Sequence, residues 1–181
     1  AIFLIIRNIP VVIFLAIKRT DEMVSESVFI RIANRNDMLA LVSMAEEFAR
    51  HLTALGEERS GFDTEASLAQ LLKHGFGDKP IFSALMAENE GKPVGYAVYN
   101  FGFWADSFQS MIFMTDLFVR EDWRSKGVGQ LMMKELRQVG RENDCDLLVW
   151  TVWANNSPAQ KFYKNLGAIA LNDEVFMKLD I

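Results

Sequence analysis

Arg124-Ser125-Lys126-Gly127-Val128-Gly129 follows an apolar strand pattern, Met111 to Val119, and opens a helix pattern. In that helix Val128, Leu131, Met132, Leu136 and Val139 fall on one face. Gly127 and Gly129 let the backbone come close to a ligand. A helix starting there turns its first N–H groups and its positive dipole end towards whatever binds. Pyrophosphate suits such a site, and Arg124 and Lys126 add complementary charge. The stretch is not the dinucleotide fingerprint, which needs Gly-x-Gly-x-x-Gly. Nor is it the P-loop, which closes on Gly-Lys-Ser/Thr. Two glycines alone fit a plain strand-to-helix turn equally well.

The pattern around the loop places it in a larger frame. Downstream, Asp146 to Trp153 reads as an apolar strand. Ser157 reads as a cap with Pro158 at the first helical position. The helix that follows carries Phe162, Tyr163 and Leu166 and ends at Gly167. Ala168 to Leu171 and Val175 to Leu179 read as two closing strands. Upstream, Val28 to Ala33 alternates as a strand does. Asn36 then reads as the cap of a helix from Met38 to Leu52, stopped by Gly56. Thr64 opens a second helix to Gly75. Ile81 to Glu88 and Val94 to Phe103 form a hairpin about Asn89-Glu90-Gly91-Lys92. The order is strand, two helices, three strands, then helix and strand in alternation. It predicts an α/β domain, a mixed sheet with helices on both faces.

The chain has 181 residues, half of them apolar and 12% aromatic, which suits one domain with one core. The net charge is −5, and no basic run rises above a solvated helix face, so nucleic acid is not an expected partner. Cys145 is the single cysteine and can form no intrachain disulfide, which fits a reducing, cytoplasmic setting. No His, Cys, Asp and Glu spacing suits a metal. Residues 1–22 are apolar but are broken by Arg7, Asn8 and Pro10. The clean run Val11 to Ile17 is short of the ~20 residues that span a bilayer. We read residues 1–22 as a leader outside a domain of residues 23–181, with a weak membrane anchor as the alternative.

Arg-x-x-Gly-x-Gly after an apolar strand resembles the coenzyme A pyrophosphate loop of the GNAT superfamily of N-acetyltransferases. Asn156-Ser157-Pro158-Ala159-Gln160-Lys161-Phe162-Tyr163-Lys164-Asn165-Leu166-Gly167-Ala168 is similar to that superfamily's second signature. Three further stretches resemble the diamine and polyamine (spermidine/spermine-type) branch. They are His74-Gly75-Phe76-Gly77, Val94-Gly95-Tyr96-Ala97-Val98-Tyr99 and Asp116-Leu117-Phe118-Val119. Where that branch's polyamine enzymes carry Glu before the Asp, this chain has Thr115.

The resemblance implies a mostly antiparallel sheet with a splayed strand pair. It also implies acetyl-CoA as co-substrate, no metal, a small primary amine as acceptor and a homodimer. Cofactor contacts would fall on Leu117, Phe118 and Val119, and on Arg124, Ser125, Lys126, Gly127, Val128, Gly129 and Gln130. Asn156, Pro158 and Ala159 would complete them. Tyr163 would protonate the leaving thiolate. Glu57, Glu58, Trp104, Thr115 and Asp116 are the candidates for the amine. Asp116 also stands out on physical grounds, because a carboxylate in an apolar strand is costly unless compensated. It is the second catalytic candidate. Two other readings stay open: acetylation of a protein amino group, and a non-catalytic coenzyme A-binding domain.

Overall fold

A computed structural model describes residues 28–57, 61–171 and 176–179. The leader at 1–22, Glu58 and Val175 lie outside the described residues. Five strands form one sheet in chain order. They are β1 (Val28–Ile32), β2 (Ser83–Asn89), β3 (Lys92–Trp104), β4 (Gln109–Val119) and β5 (Leu147–Trp150). Neighbours from β1 to β4 are antiparallel, and β5 joins β4 in parallel. Helices α1 (Met38–Ala54) and α2 (Thr64–Phe76) precede β2, α3 (Val128–Glu142) links β4 to β5, and α4 (Ser157–Asn165) follows β5. This is the expected mixed α/β sheet.

Two cores flank the sheet. Leu85, Ala97, Tyr99, Ile112 and Met114 pack on Met132, Met133 and Leu136 of α3. On the other face Met86, Tyr96 and Phe118 pack on Met38, Leu41 and Met44. A bulge in β4 decides which side chains go where. Val98 faces Asp116 and Tyr99 faces Met114, so Thr115 is the extra residue. An inserted residue reverses the in–out alternation beyond it. Ile112 and Met114 face α3 before the bulge; Leu117 and Val119 pack there after it. Asp116 is thereby moved to the face opposite Met114, the one that Phe118 also faces.

Several local readings are corrected. The side-chain cap is Asn34, not Asn36, and it closes the 3-10 turn Arg35–Asp37 that leads into α1. Its side chain accepts from the N–H of Asn36 at 2.9 Å, and Asp37 accepts from the N–H of Asn34 at 2.7 Å. Asp37 is drawn into this box because Arg31 grips both its oxygens at 2.7 Å, which also holds its carboxyl below the usual range. Asp63 rather than Thr64 caps α2, accepting from Ala66 N–H at 2.9 Å. Asn156 rather than Ser157 caps α4, accepting from Ala159 N–H at 3.1 Å. The strand read as Asp146 to Trp153 stops at Trp150.

The two closing strands do not form among the described residues: 168–171 and 176–179 join no ladder. Alternating apolar residues need a backbone partner to become a strand. Here Phe176 spends its side chain instead on Phe113, stacked at 6.2 Å and 24°.

Candidate active site

The parallel pairing of β4 with β5 ends at Met114 and Trp150. β4 runs on to Val119 while the chain after Trp150 turns away. The β5-facing edge of Thr115 to Val119 therefore has no strand partner among the described residues. A cavity of about 330 Å³ opens in this fork. Met114, Thr115, Asp116 and Leu117 form one wall, and Thr151, Val152 and Trp153 the other. Asn156, Ala159 and Tyr163 of α4 close one end, and Phe48, Leu52 and Glu57 the other.

The glycine loop sits where β4 hands over to α3. Gly127 adopts φ +81°, a left-handed conformation that costs glycine nothing. A Cβ there would meet no atom within 4 Å, so its outer side is open. The first helical bond runs from Leu131 N–H to the Gly127 carbonyl at 3.0 Å. The N–H groups of Val128, Gly129 and Gln130 precede it and point out of the helix start. Arg124 is braced three ways. Its Nε donates to Val119 O at 3.0 Å, its guanidinium lies 5.6 Å from the Phe118 ring, and His51 Nδ1 is 3.5 Å from Nη1. Lys126 lies over the Trp123 ring at 4.9 Å. Ser125 holds φ +60°, part of the tight turn that presents the loop. Gly129 serves packing as well, since a Cβ there would stand 3.2 Å from Phe162 Cζ on α4.

Tyr163 reaches the cavity from α4 with its ring against Trp150, 4.9 Å away, and Phe162, 5.1 Å away. Burial, reinforced by the negative charge of Asp116, pushes its hydroxyl up to about 12. It therefore keeps its proton at any physiological pH. Asp116 accepts a hydrogen bond from the Tyr96 hydroxyl at 2.6 Å. Thr115 uses its own hydroxyl on Val98 O, 3.2 Å away. A hydroxyl so placed is no substitute for a carboxylate base.

The predicted residues thus fall into two groups. Thr115, Asp116, Leu117, Asn156, Ala159, Tyr163 and Glu57 line the cavity, while Phe118, Val119 and residues 124–130 lead away from it along β4 and the loop. Pro158 sits in the first turn of α4. Trp104 lies elsewhere. It pairs with Gln109 at the far end of the hairpin, five residues past Tyr99, or about 17 Å along a strand. Phe48, Leu52, Thr151, Val152 and Trp153 were not anticipated as lining. Trp153 carried a signal, an aromatic at the end of the strand pattern that leads into the second motif. Its large ring, 3.8 Å from where a Cβ on Gly56 would lie, closes the fork against the end of α1. Among the described residues no three His, Cys, Asp or Glu side chains are grouped to hold a metal, and no helix is long and apolar enough to cross a membrane.

Comparison with known proteins agrees with this fold. Human spermidine/spermine N(1)-acetyltransferase-like protein 1 is 32% identical over 118 residues, 61% of this chain but only 17% of that protein's length. Bovine thialysine N-epsilon-acetyltransferase is 28% identical over 153 residues, covering 81% of this chain and 86% of its own. Among solved structures, an integron cassette protein from the mobile metagenome of V. cholerae superposes with a TM-score of 0.70 at 29% identity, over 86% of this chain and 94% of that one. The aminoglycoside N-acetyltransferase AAC(6')-Iy in complex with CoA shares the fold, with a TM-score of 0.70 at 16% identity over 87% of this chain and 97% of that one. The model of the Acetyltransferase (GNAT) family matches residues 42–168, which span the first helix, the fork, the glycine loop and Tyr163, and the chain belongs to that family.

Proposed function

We propose that the chain is an acetyl-CoA-dependent N-acetyltransferase that acetylates a small primary amine by direct attack. One observation carries this reading. The open edge of β4 joins the N–H groups of the α3 start to a cavity that holds both Asp116 and Tyr163. The pyrophosphate falls to residues 124–130, the pantetheine arm to the backbone of Leu117 to Val119, and the acyl end to the fork beside Asn156 and Ala159. Acetyl-CoA supplies an activated acyl group and a thiolate that can leave.

The chain's own groups supply the rest. Asp116 and Glu57 draw a cationic amine into the cavity. Asp116 accepts the ammonium proton, directly or through water, so that the neutral nitrogen can bond to the acyl carbon. A backbone N–H of the open β4 edge faces the charge that builds on the carbonyl oxygen. As the carbon–sulfur bond breaks, Tyr163 donates a hydrogen bond and then its proton to sulfur. Its hydroxyl sits well above the ~8.5 of a thiol, so the transfer is completed only as solvent or Asp116 returns a proton. Cys145 is a poor carrier for a covalent route. It lies outside the cavity, and burial with Asp146 and Asp144 pushes its thiol up.

The acceptor class is taken from the relatives, one named for spermidine and spermine and one for thialysine. Thr115 in place of a carboxylate argues for a shorter, less charged amine than a polyamine. The same reading includes a homodimer, which the resemblance supports, and a cytoplasmic setting, which the single Cys145 supports. It places the activity in residues 23–181, so a chain starting at Met23 retains it. The deciding measurement is release of free thiol from acetyl-CoA with thialysine, lysine, diamines and polyamines. Thiol release with none of them, from a protein that binds acetyl-CoA, would favour the non-catalytic reading.

A further inference from the structure

We infer that Tyr96 is a positioning residue that holds the Asp116 carboxylate ionised and aimed at the fork, and so sets the lower pH bound of amine acetylation. The inference rests on the reading of Asp116 given above.

Tyr96 is 0% exposed and lies in β3 opposite Phe118, with its ring tilted 38° against that ring at 6.0 Å. Its surroundings are apolar: Met38, Met44, Met86 and Phe118. A phenol costs more to bury there than a phenylalanine unless its hydroxyl is bonded. The bond it makes, 2.6 Å to Asp116 Oδ2, is short and charge-assisted. Tyr96 does not itself line the cavity, whereas Asp116 does. The β4 bulge explains how the two meet. Without the extra residue at Thr115, Asp116 would point towards α3. With it, Asp116 becomes the diagonal cross-strand neighbour of Tyr96.

A donor to the ionised form lowers a carboxyl's pKa. Among the described residues, the titratable groups that line the cavity with Asp116 are Tyr163 on α4 and Glu57 after α1, with the His51–Arg124 pair beyond the Phe118 ring. Tyr163 is neutral throughout the working range. Tyr96 acts to keep Asp116 charged through the bond it donates.

The test is the pH profile of kcat/KM for the amine in the full chain with Tyr96→Phe, at saturating acetyl-CoA. A charge-assisted hydrogen bond of ~1.5–3 kcal/mol corresponds to an acid limb moved upward by about 1 to 2 pH units, with the alkaline plateau changed only a few-fold. Asp116→Asn should remove the limb that Asp116 sets and leave only the rise at alkaline pH where the amine loses its own proton, and adding Tyr96→Phe to it should do nothing more. 3-Fluorotyrosine at position 96, a stronger donor of nearly the same shape, should move the limb to lower pH and covers the case in which Tyr96→Phe fails to fold. An acid limb unmoved by either change, while Asp116→Asn still removes it, reduces Tyr96 to core packing. A limb that stays at its native pH in Asp116→Asn overturns the underlying reading of Asp116 instead, and the inference falls with it.

Discussion

His51 Nδ1 on α1 lies 3.5 Å from Nη1 of Arg124 on the glycine loop, so the first helix braces the cation that the loop presents. The arrangement needs a neutral imidazole. Burial pushes the His51 pKa down, the Arg124 charge adds to this, and Glu121 only partly opposes it. Below ~6.5 the unfolded chain takes up this proton before the folded one does. The stability contributed by neutral His51 is therefore present above that pH and is lost as pH falls through the folded value. The thermal midpoint of the native protein should drop faster below pH 6.5 than that of His51→Gln. Proton NMR would follow the imidazole directly. A ring titrating at or above its ordinary value would show that Arg124 and burial do not hold it neutral.

The loop itself can be tested at Gly127. In excess of about a hundred-fold over Kd, acetyl-CoA should raise the melting temperature by roughly 5 to 10 °C. Gly127→Asp should abolish the rise, because it adds bulk and negative charge where phosphate would sit. Left-handed φ alone costs a side chain about 1–2 kcal/mol, and asparagine tolerates it best. Gly127→Asn therefore separates strain from charge: it should lower the starting midpoint but keep part of the rise. An undiminished rise in Gly127→Asp would move the phosphate site elsewhere.

Gly129 makes a different demand. A Cβ there stands 3.2 Å from Phe162 Cζ and 3.4 Å from Cε2, tighter than an ordinary contact. Alanine gains up to ~1 kcal/mol of helix propensity, less in a first turn, while crowding a packed contact costs ~1–3 kcal/mol. Crowding should win, and Gly129→Ala should lose about 1 kcal/mol in urea denaturation. Phe162→Leu in the same chain should recover part of that loss. A more stable Gly129→Ala would mean that α4 shifts freely and that the glycine is not a packing requirement.

What could be read in the sequence was what depends on neighbours along the chain. The Val119-to-Val128 passage from strand through glycine loop to helix is local, and the matching order of elements fixed the fold class. Tyr163 and Asn156 were legible through the resemblance of the run Asn156 to Ala168 to the superfamily's second signature. Asp116 was flagged by its cost in an apolar strand, but its partner Tyr96 was not. Two-to-one pairing at Thr115 leaves no mark on periodicity, so neither the bulge nor the side on which Asp116 emerges could be foreseen. Asn34 caps instead of Asn36 because Arg31 grips Asp37, a contact between a strand and a turn that spacing along the chain does not show. The closing strands failed for the same reason. Alternation at 168–171 and 176–179 marks a segment able to pair, and pairing depends on an edge elsewhere in the fold. Phe48, Leu52 and Trp153 meet only because β4 and β5 part after Met114 and Trp150.

Tyr163 and Asp116 together carry the proposed chemistry, and two substitutions separate their roles. Tyr163→Phe keeps the ring contacts with Trp150 and Phe162 and removes only the hydroxyl. Acetyl-CoA affinity should hardly change, while kcat falls roughly ten- to a thousand-fold, within or just below the range for a lost proton donor. The loss need not be total, since a thiolate of pKa ~8.5 leaves at some penalty without help. With its hydroxyl at about 12, Tyr163 stays protonated across the assay range, so no alkaline fall below pH 10 should belong to it. Asp116→Asn should act on the other reactant. It should raise the amine KM and make the rate recover towards alkaline pH, where the amine loses its proton unaided. It should also let the Tyr163 hydroxyl titrate lower, because one of the two causes of its raised pKa is gone. Single-turnover rates isolate the chemical step from product release. If Tyr163→Phe matches the native rate in that assay, the proton reaches sulfur by another path and Tyr163 is a packing residue of α4.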